Sequence, residues 1–503
     1  MFRFVLFDLD GTLTDPKEGI CKCVQYALKA QNIDEPDLDK LEPFIGPPLK
    51  NSFMDFYGMD EEHAVMAVEK YRERFSTIGL YENELYPGMR ECLQSLKSYG
   101  IKLAVASSKP KEFVDRILKH FKITEYFDVV CGSEKNGKKV EKQDVMREAI
   151  GKLFHVREES VADKSKNIIP WDAVLMVGDR KFDIEGAKAF GMKCVGVSYG
   201  YALEGELEEA GADFITDELE ELHRYITGEK MGIAAQDGRR RIFSSIRILM
   251  PVVYEYLLSL MLLLAFRVGW EILIQGPLQG KAGWFSDHSS LVAVCFDVVA
   301  TVVCAIIFYR WYQTEKIPPI SRVVKRRRQK NLKRDVVLIG LTSVFLALFL
   351  NILFTLLEVT TASQSYHEVA TTQYSIPLVL GLLHYGVIKP VEEELVFRGL
   401  VYGRMRKNFS PILSVPVSAL IFGAYHGNLV QFIYAFFMGC LLAYIYERYK
   451  SLKAPILVHG SANLAVYLVS SITDIGEAVV SPVGCVVSGV LAIGFFIWLV
   501  KRK

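Results

Sequence analysis

No CxxC pair occurs among the nine cysteines, which are scattered from Cys21 to Cys485 and odd in number. That pattern argues against a disulfide framework, and reduced cytosol suits the soluble part of the chain. The start, Met1-Phe-Arg-Phe-Val-Leu-Phe-Asp8, lacks a basic n-region, a long apolar stretch and a small-residue cleavage site. No signal peptide is expected. Net charge is almost absent, at +1, but this is an average over two unlike halves. Basic residues are nearly missing from 275–288, 358–375 and 472–478, where Lys281 stands alone. The zinc-protease pattern HExxH is absent as well.

What is present divides the chain, whose 503 residues exceed a usual single core. Residues 1–228 mix charged and apolar positions as soluble α/β proteins do, whereas from 248 onward apolar runs approach the roughly 18 to 20 residues that cross a bilayer. Eight spans are expected, near 248–267, 289–310, 336–357, 376–389, 411–425, 429–446, 454–471 and 479–500. The stretch 229–247 is a basic joint containing Arg239, Arg240, Arg241 and Arg247. Eight Lys or Arg fall between Arg322 and Arg334, with further clusters at Arg404 to Lys407, Arg448 to Lys453 and Lys501 to Lys503. All fall on one side of an eight-span topology, so they predict a multi-pass protein of the cell membrane with its soluble half and C-terminus in the cytoplasm. Flanking spans make this a better account of the 322–334 cluster than nucleic-acid binding, and no nucleic-acid partner is expected.

In the first half, apolar runs at Phe2 to Leu9, Leu103 to Ala106, Ala173 to Val177, Cys194 to Val197 and Phe214-Ile215 alternate with helical patterns, which predicts a parallel, doubly wound sheet. Residues 16–84 read as an inserted helical cap. Phe7-Asp8-Leu9-Asp10-Gly11-Thr12 ends the first run. Its two carboxylates, two residues apart on extended chain, point to one side. Gly11 permits a sharp turn at the strand end, where open α/β sheets place their ligands. Paired carboxylates there suit Mg2+ and a phosphate. Ser107-Ser108-Lys109-Pro110 and Gly178-Asp179-Arg180-Lys181-Phe182-Asp183 end later runs, and Lys142 opens a helix able to direct a positive charge at phosphate. Lys135, Lys138 and Lys139 lie nearby; position at the start of that helix favours Lys142.

These motifs resemble the haloacid dehalogenase-like phosphatases, particularly the phosphoglycolate phosphatase branch, over residues 2–225. The resemblance implies a Rossmann-like domain in which Asp8 attacks phosphorus and Asp10 protonates the leaving group and then activates water. It also implies that Ser107 and Lys142 hold the phosphoryl oxygens of a small phosphate ester. By the same resemblance Asp179 would bind Mg2+ with Asp8 and the Asp10 backbone carbonyl, and Asp183 would support Lys142 or the metal shell.

The second half contains Lys389-Pro390-Val391-Glu392-Glu393-Glu394-Leu395-Val396-Phe397-Arg398. Ionised side chains are costly in a membrane and so suggest function. Glu394 and Arg398, four apart, can pair along one helix face, while Glu393 points about 100 degrees away and is free to face a cavity. His426 follows on a later apolar segment, and His459 and Asn463 share a helix face. His384, Glu255, Asp297 and Glu271 are other intramembrane polar residues that helix packing or an interfacial position explains.

The ordered set EExxxR, FxxxH and HxxxN resembles the CPBP family of intramembrane proteases, which includes CAAX prenyl proteases and bacteriocin-related members. The resemblance covers about 335–475 and implies an all-α polytopic domain. In it, Glu393 with His426 activates water and His459 with Asn463 stabilises the oxyanion. Glu394 and Arg398 support the site. The expected substrate is an apolar or membrane-proximal polypeptide at the lipid bilayer. No cofactor is expected there, with Zn2+ held by glutamate and histidines as the alternative. The competing reading of the whole chain is a phospho-ligand sensor controlling a non-proteolytic membrane binding or immunity protein. The joint of about nineteen residues at 229–247 allows the soluble half to touch cytosolic loops at 311–335 or 403–410 without enforcing it.

Overall fold

The computed structural model describes residues 1–134, 141–161, 169–228, 238–281, 283–284, 288–316, 320–374, 376–406, 409–472 and 479–502. Lys135, Lys138, Lys139 and part of the 229–247 joint lie outside them. The chain forms two compact units, Met1–Lys230 with Pro319–Arg326, and Met231–Pro318 with Arg327–Lys503.

The first unit is built on eight strands: β1 (Phe4–Phe7), β2 (Thr14–Asp15), β3 (Glu84–Leu85), β4 (Lys102–Pro110), β5 (Val129–Ser133), β6 (Val174–Gly178), β7 (Lys193–Val197) and β8 (Phe214–Thr216). Six of them make a parallel sheet in the order β5-β4-β1-β6-β7-β8. The edge strand β5 adds to the five runs legible in the sequence. Side-chain alternation divides the core between the two faces. Val5, Phe7, Leu175 and Val177 join one apolar cluster; Leu6, Val174 and Met176 join the other. Helices cover both faces, which is why these strands read as unbroken apolar runs. The chain leaves β1 for β4 on one side and later takes up β6 on the other, so the strand order reverses at β1 and opens a crevice at its carboxyl end.

The antiparallel pair β2 and β3, with Thr14 opposite Leu85 and Asp15 opposite Glu84, forms the stalk of the insertion. Between the stalk strands lie the helices Lys17–Ala30, Leu49–Tyr57 and Glu61–Arg74 and a tight turn of helix at Leu38–Phe44. Asp60 caps the third by accepting from the His63 N–H at 2.9 Å.

The second unit is helical throughout its described residues. Five helices are long and apolar enough to cross a bilayer: Ile246–Gln275, Leu291–Glu315, Val323–Leu356, Leu429–Tyr449 and Pro482–Lys501. The bent pair Gln364–Tyr374 and Leu378–Arg406 makes a sixth if it crosses as one span. This is fewer than the eight runs read from sequence. The apolar helix Pro411–Tyr425 has 15 residues, about 22 Å of rise against a hydrocarbon core of about 30 Å. Lys453–Ser471, which contains His459 and Asn463, is absent from the group that meets the length and apolarity criteria.

Candidate active sites

In the first unit, Asp8 continues the β1 ladder, its N–H donating to the Val177 carbonyl at 2.9 Å. This places its carboxylate beside the end of β6, from which Asp179 and Asp183 arrive. Oxygens of Asp8, Asp179 and Asp183 all lie within 4.8 Å of one another. Lys142, 6% exposed at the start of the Lys142–Phe154 helix, ties the group together. Its Nζ lies 2.7 Å from Asp8 Oδ1 and 2.6 Å from Asp183 Oδ1. Burial alone would lower the Lys142 pKa, but Asp183 and Asp8 more than reverse it.

Asp179 is fully buried, and burial, with the charges of Asp183 and Asp8 next, raises its carboxyl well above the usual range. It accepts from Thr12 Oγ1 at 3.2 Å and from the Tyr201 N–H at 2.8 Å. Two glycines make room for it. A Cβ at Gly11, whose φ is +80°, would meet Asp179 Oδ2 at 2.1 Å, and one at Gly200 would meet it at 2.3 Å. Three crowded carboxylates offer hard oxygen donors and excess negative charge, and this donor set fits Mg2+.

The Asp10 side chain stands apart from that trio and takes Lys109 as its partner, with Nζ 2.5 Å from Oδ2. Burial raises the Asp10 pKa despite this lysine. Ser107 is 3% exposed on β4, the strand beside β1. The six soluble residues singled out in the sequence thus gather at the carboxyl edges of β1, β4 and β6 and the starts of two helices, Lys142–Phe154 and Lys181–Phe190. The role of Lys109 is not legible in the sequence, because its pairing with Asp10 spans 99 residues.

In the second unit, the helix Leu378–Arg406 loosens into wider π-type turns at His384–Ile388 and Leu395–Tyr402, on either side of the glutamates. Glu394 and Arg398 are both buried and paired, Nη1 to Oε1, at 3.1 Å. The guanidinium also stacks 4.3 Å from the Phe422 ring centroid. His459 Nδ1 lies 2.8 Å from the same Glu394 oxygen, and its Nε2 is 3.6 Å from Glu393 Oε2. One histidine therefore stands between the two glutamates.

Glu393, His426, His459 and Asn463 line a single cavity of about 540 Å³, together with Lys389 and a set of tyrosines that includes Tyr385 and Tyr434. His426 Nδ1 is 2.9 Å from the Phe422 carbonyl, which can only accept. Nδ1 is therefore the donor, leaving Nε2 with its lone pair in the neutral ring. Asn463 donates from Nδ2 to the Tyr385 carbonyl at 2.9 Å. Of the polar residues set aside as packing, His384 pairs with Asp297 at 2.8 Å and Glu255 accepts from Ser259 at 3.0 Å. Sequence reading missed Lys389 as part of the site. Its Nζ lies 2.7 Å from Glu392, and an i, i+3 opposite-charge pair beside the motif was the available signal.

Comparison with known proteins finds a family match across each site. Residues 5–197 match the haloacid dehalogenase-like hydrolases, and residues 375–465 match the type II CAAX prenyl endopeptidase Rce1-like family. A 5'-nucleotidase of Pseudomonas aeruginosa is 45% identical over 203 residues, which are 40% of this chain and 86% of that protein. The tyrosine-protein kinase PtkA of Mycobacterium tuberculosis is 33% identical over 225 residues, 44% of this chain and 72% of that protein. A phosphoglycolate phosphatase of Pseudomonas fluorescens is 31% identical over 230 residues, 44% of this chain and 78% of that protein. The second half resembles the Rce1-like type II CAAX prenyl endopeptidases over residues 375–465, and through its first half the chain belongs to the haloacid dehalogenase-like hydrolases.

Proposed function

We propose that the chain joins a Mg2+-dependent phosphomonoester hydrolase to a glutamate-type intramembrane endopeptidase, with the soluble half and the C-terminus on the cytoplasmic face. For the hydrolase, the observation that carries the reading is the meeting of Asp8, Asp179 and Asp183 around Lys142 at the sheet edge. An Asp8 oxygen attacks phosphorus, and the bond from phosphorus to the leaving oxygen breaks. Asp10 gives that oxygen its proton. It then takes a proton from the water that attacks the aspartyl-phosphate, releasing Asp8 and inorganic phosphate. Lys142 and Ser107 hold phosphoryl oxygens throughout. Asp8, Asp179 and the Asp10 carbonyl would hold Mg2+, which when bound offsets the charge of phosphate and carboxylates. Similarity to a 5'-nucleotidase makes nucleoside 5'-monophosphates the first substrate class to assay, with phosphoglycolate second. The test is phosphate release by the full chain in nanodiscs. Turnover of either class that disappears in Asp8→Asn supports the reading, and turnover that survives this change contradicts it.

For the protease, the carrying observation is the cavity shared by Glu393, His426, His459 and Asn463 within an apolar helical unit. Glu393 with His426 takes a proton from water, whose oxygen attacks the peptide carbonyl carbon. The C–N bond then breaks, and the proton passes to the leaving amine. His459 and Asn463 are the donors for the oxyanion: with the His459 Nδ1–H held by Glu394, donation from Nε2 requires the ring to carry both protons, and the Asn463 amide keeps a second hydrogen beyond the one given to Tyr385. The substrate class is an apolar or membrane-proximal polypeptide, and cleavage by the reconstituted chain that is lost in Glu393→Ala is the expected result. Unchanged cleavage in that variant would contradict the assignment.

A further inference from the structure

The first unit is not completed by its leading residues alone. Residues 319–326, which follow the helix Leu291–Glu315 in sequence, belong to it as well. Ser321 Oγ donates to the Tyr199 carbonyl at 2.7 Å and accepts from the Val324 N–H at 3.2 Å, capping the helix that begins at Arg322. Val324 is 1% exposed within the same apolar cluster as Phe7, Tyr199 and Tyr201, and Ile320 and Val323 pack against that cluster. Arg326 then forks across two carboxylates, Nη1 to Asp39 at 2.7 Å and Nη2 to Glu42 at 2.6 Å.

These contacts fall on two different parts of the hydrolase. Asp39 and Glu42 lie in the Leu38–Phe44 turn of the cap, where Lys17, just past the stalk, pairs with both. Tyr199 lies on the core after β7. The Tyr199-Gly200-Tyr201 segment is itself part of the wall of the site. Tyr199 donates from its hydroxyl to the Thr12 carbonyl at 2.9 Å, the Tyr201 N–H holds Asp179, and Gly200 packs against Asp179 with no space for a Cβ. A seven-residue segment therefore grips cap and core at once, next to the carboxylate site.

We propose that residues 320–326 are an intramolecular strap that clamps the cap to the core beside the Asp179 loop and sets how tightly the hydrolase holds its substrate. The proposal rests on the phosphatase reading of that site. The buried Val324 supplies adhesion, and the Arg326 fork fixes which part of the cap is held. The helix that begins in the strap continues without a break to Leu356. A displacement of its first turn that withdrew Val324 would release the cap.

The experiment uses the full chain in nanodiscs with para-nitrophenyl phosphate as substrate, comparing Val324→Asp and Arg326→Ala with the parent and with Arg326→Lys. Unseating the strap lowers the population of closed cap, so KM is expected to rise about tenfold in Val324→Asp while kcat stays within about twofold. Amide hydrogen exchange over residues 38–44 should accelerate in both Val324→Asp and Arg326→Ala, and Arg326→Lys should restore most of the protection. Unchanged exchange at 38–44, or an unchanged KM, would overturn the proposal. Arg326→Ala provides the exchange measurement independently if Val324→Asp does not fold. Turnover surviving in Asp8→Asn would mark failure of the phosphatase reading instead, and exchange alone would then decide whether the strap holds the cap.

Discussion

The two sites use carboxylates in opposite ways. In the first unit, two strand ends and the first turn of the helix Lys181–Phe190 bring Asp8, Asp179 and Asp183 within 4.8 Å of one another, a crowding of like charge that burial makes worse and that a cation and a transferring phosphoryl group would use. In the second, Glu394 is held through Oε1 by both Arg398 and His459, while Glu393 stands 3.6 Å from His459 at the edge of a cavity of about 540 Å³ rich in tyrosines. Under the proposed reading, one arrangement suits charged ligands and the other a neutral amide and a water. In the proposed mechanisms the same side-chain chemistry serves as a nucleophile where its neighbours converge and as a base where a histidine and open space stand beside it.

Removing divalent cations should break the symmetry between the sites most strongly. With EDTA present, phosphate release should fall to background and return with Mg2+, whereas peptide cleavage by the same preparation should persist. Cleavage that is lost with EDTA and restored by Zn2+ would mean that the second site is not the contrast drawn above. A smaller effect is expected from His426→Ala, which removes the Nε2 base and should lower kcat for peptide cleavage by about 10² to 10⁴. Phosphatase rates should not change.

The third comparison is between buried pairs and their stability. Arg398→Met leaves Glu394 buried with its main cationic partner gone, and should destabilise the second unit by about 3–5 kcal/mol, read by thermal unfolding in detergent. A shift close to zero would show that His459 alone satisfies Glu394. The smallest effect lies far from either site. Burial would raise the Asp128 carboxyl, but Lys97 and Lys102 overcome this and bring it down to about 2. Its ordinary value is about 3.9, so the folded state gains stability that is present above about pH 4 and lost as pH falls from 4 toward 2. Asp128→Asn should flatten the acid limb of a stability profile over that window, and an unaltered limb would remove Asp128 from the account.

Much of both sites was legible because local geometry fixes it. A strand end delivers Asp8 or Asp179 to an edge whatever the rest of the chain does. The helix repeat alone separates Glu393, which reaches the cavity, from Glu394, which pairs with Arg398. A place at a helix start distinguishes Lys142 from Lys135, Lys138 and Lys139, and its Nζ meets Asp8 and Asp183. What escaped depends on tertiary approach. Lys109 meets Asp10 across 99 residues, and Arg326 meets Asp39 across 287. The run Arg322 to Arg334 read simply as a positive-inside cluster, although its first turns are seated in the hydrolase. The span count shows the limit of apolarity as a guide, because Pro411–Tyr425 is apolar yet short.

The central claim is that one chain carries two chemically separate active sites, and a paired measurement on the full-length protein in nanodiscs tests it most directly. Phosphate release and polypeptide cleavage are followed in Asp8→Asn and in Glu393→Ala, with folding of each checked by its melting transition. Asp8→Asn should lose phosphate release by on the order of 10⁴-fold or more and keep cleavage. Glu393→Ala should lose cleavage and keep phosphate release. Loss of both activities in either folded variant, or survival of an activity in the variant aimed at it, would contradict the account.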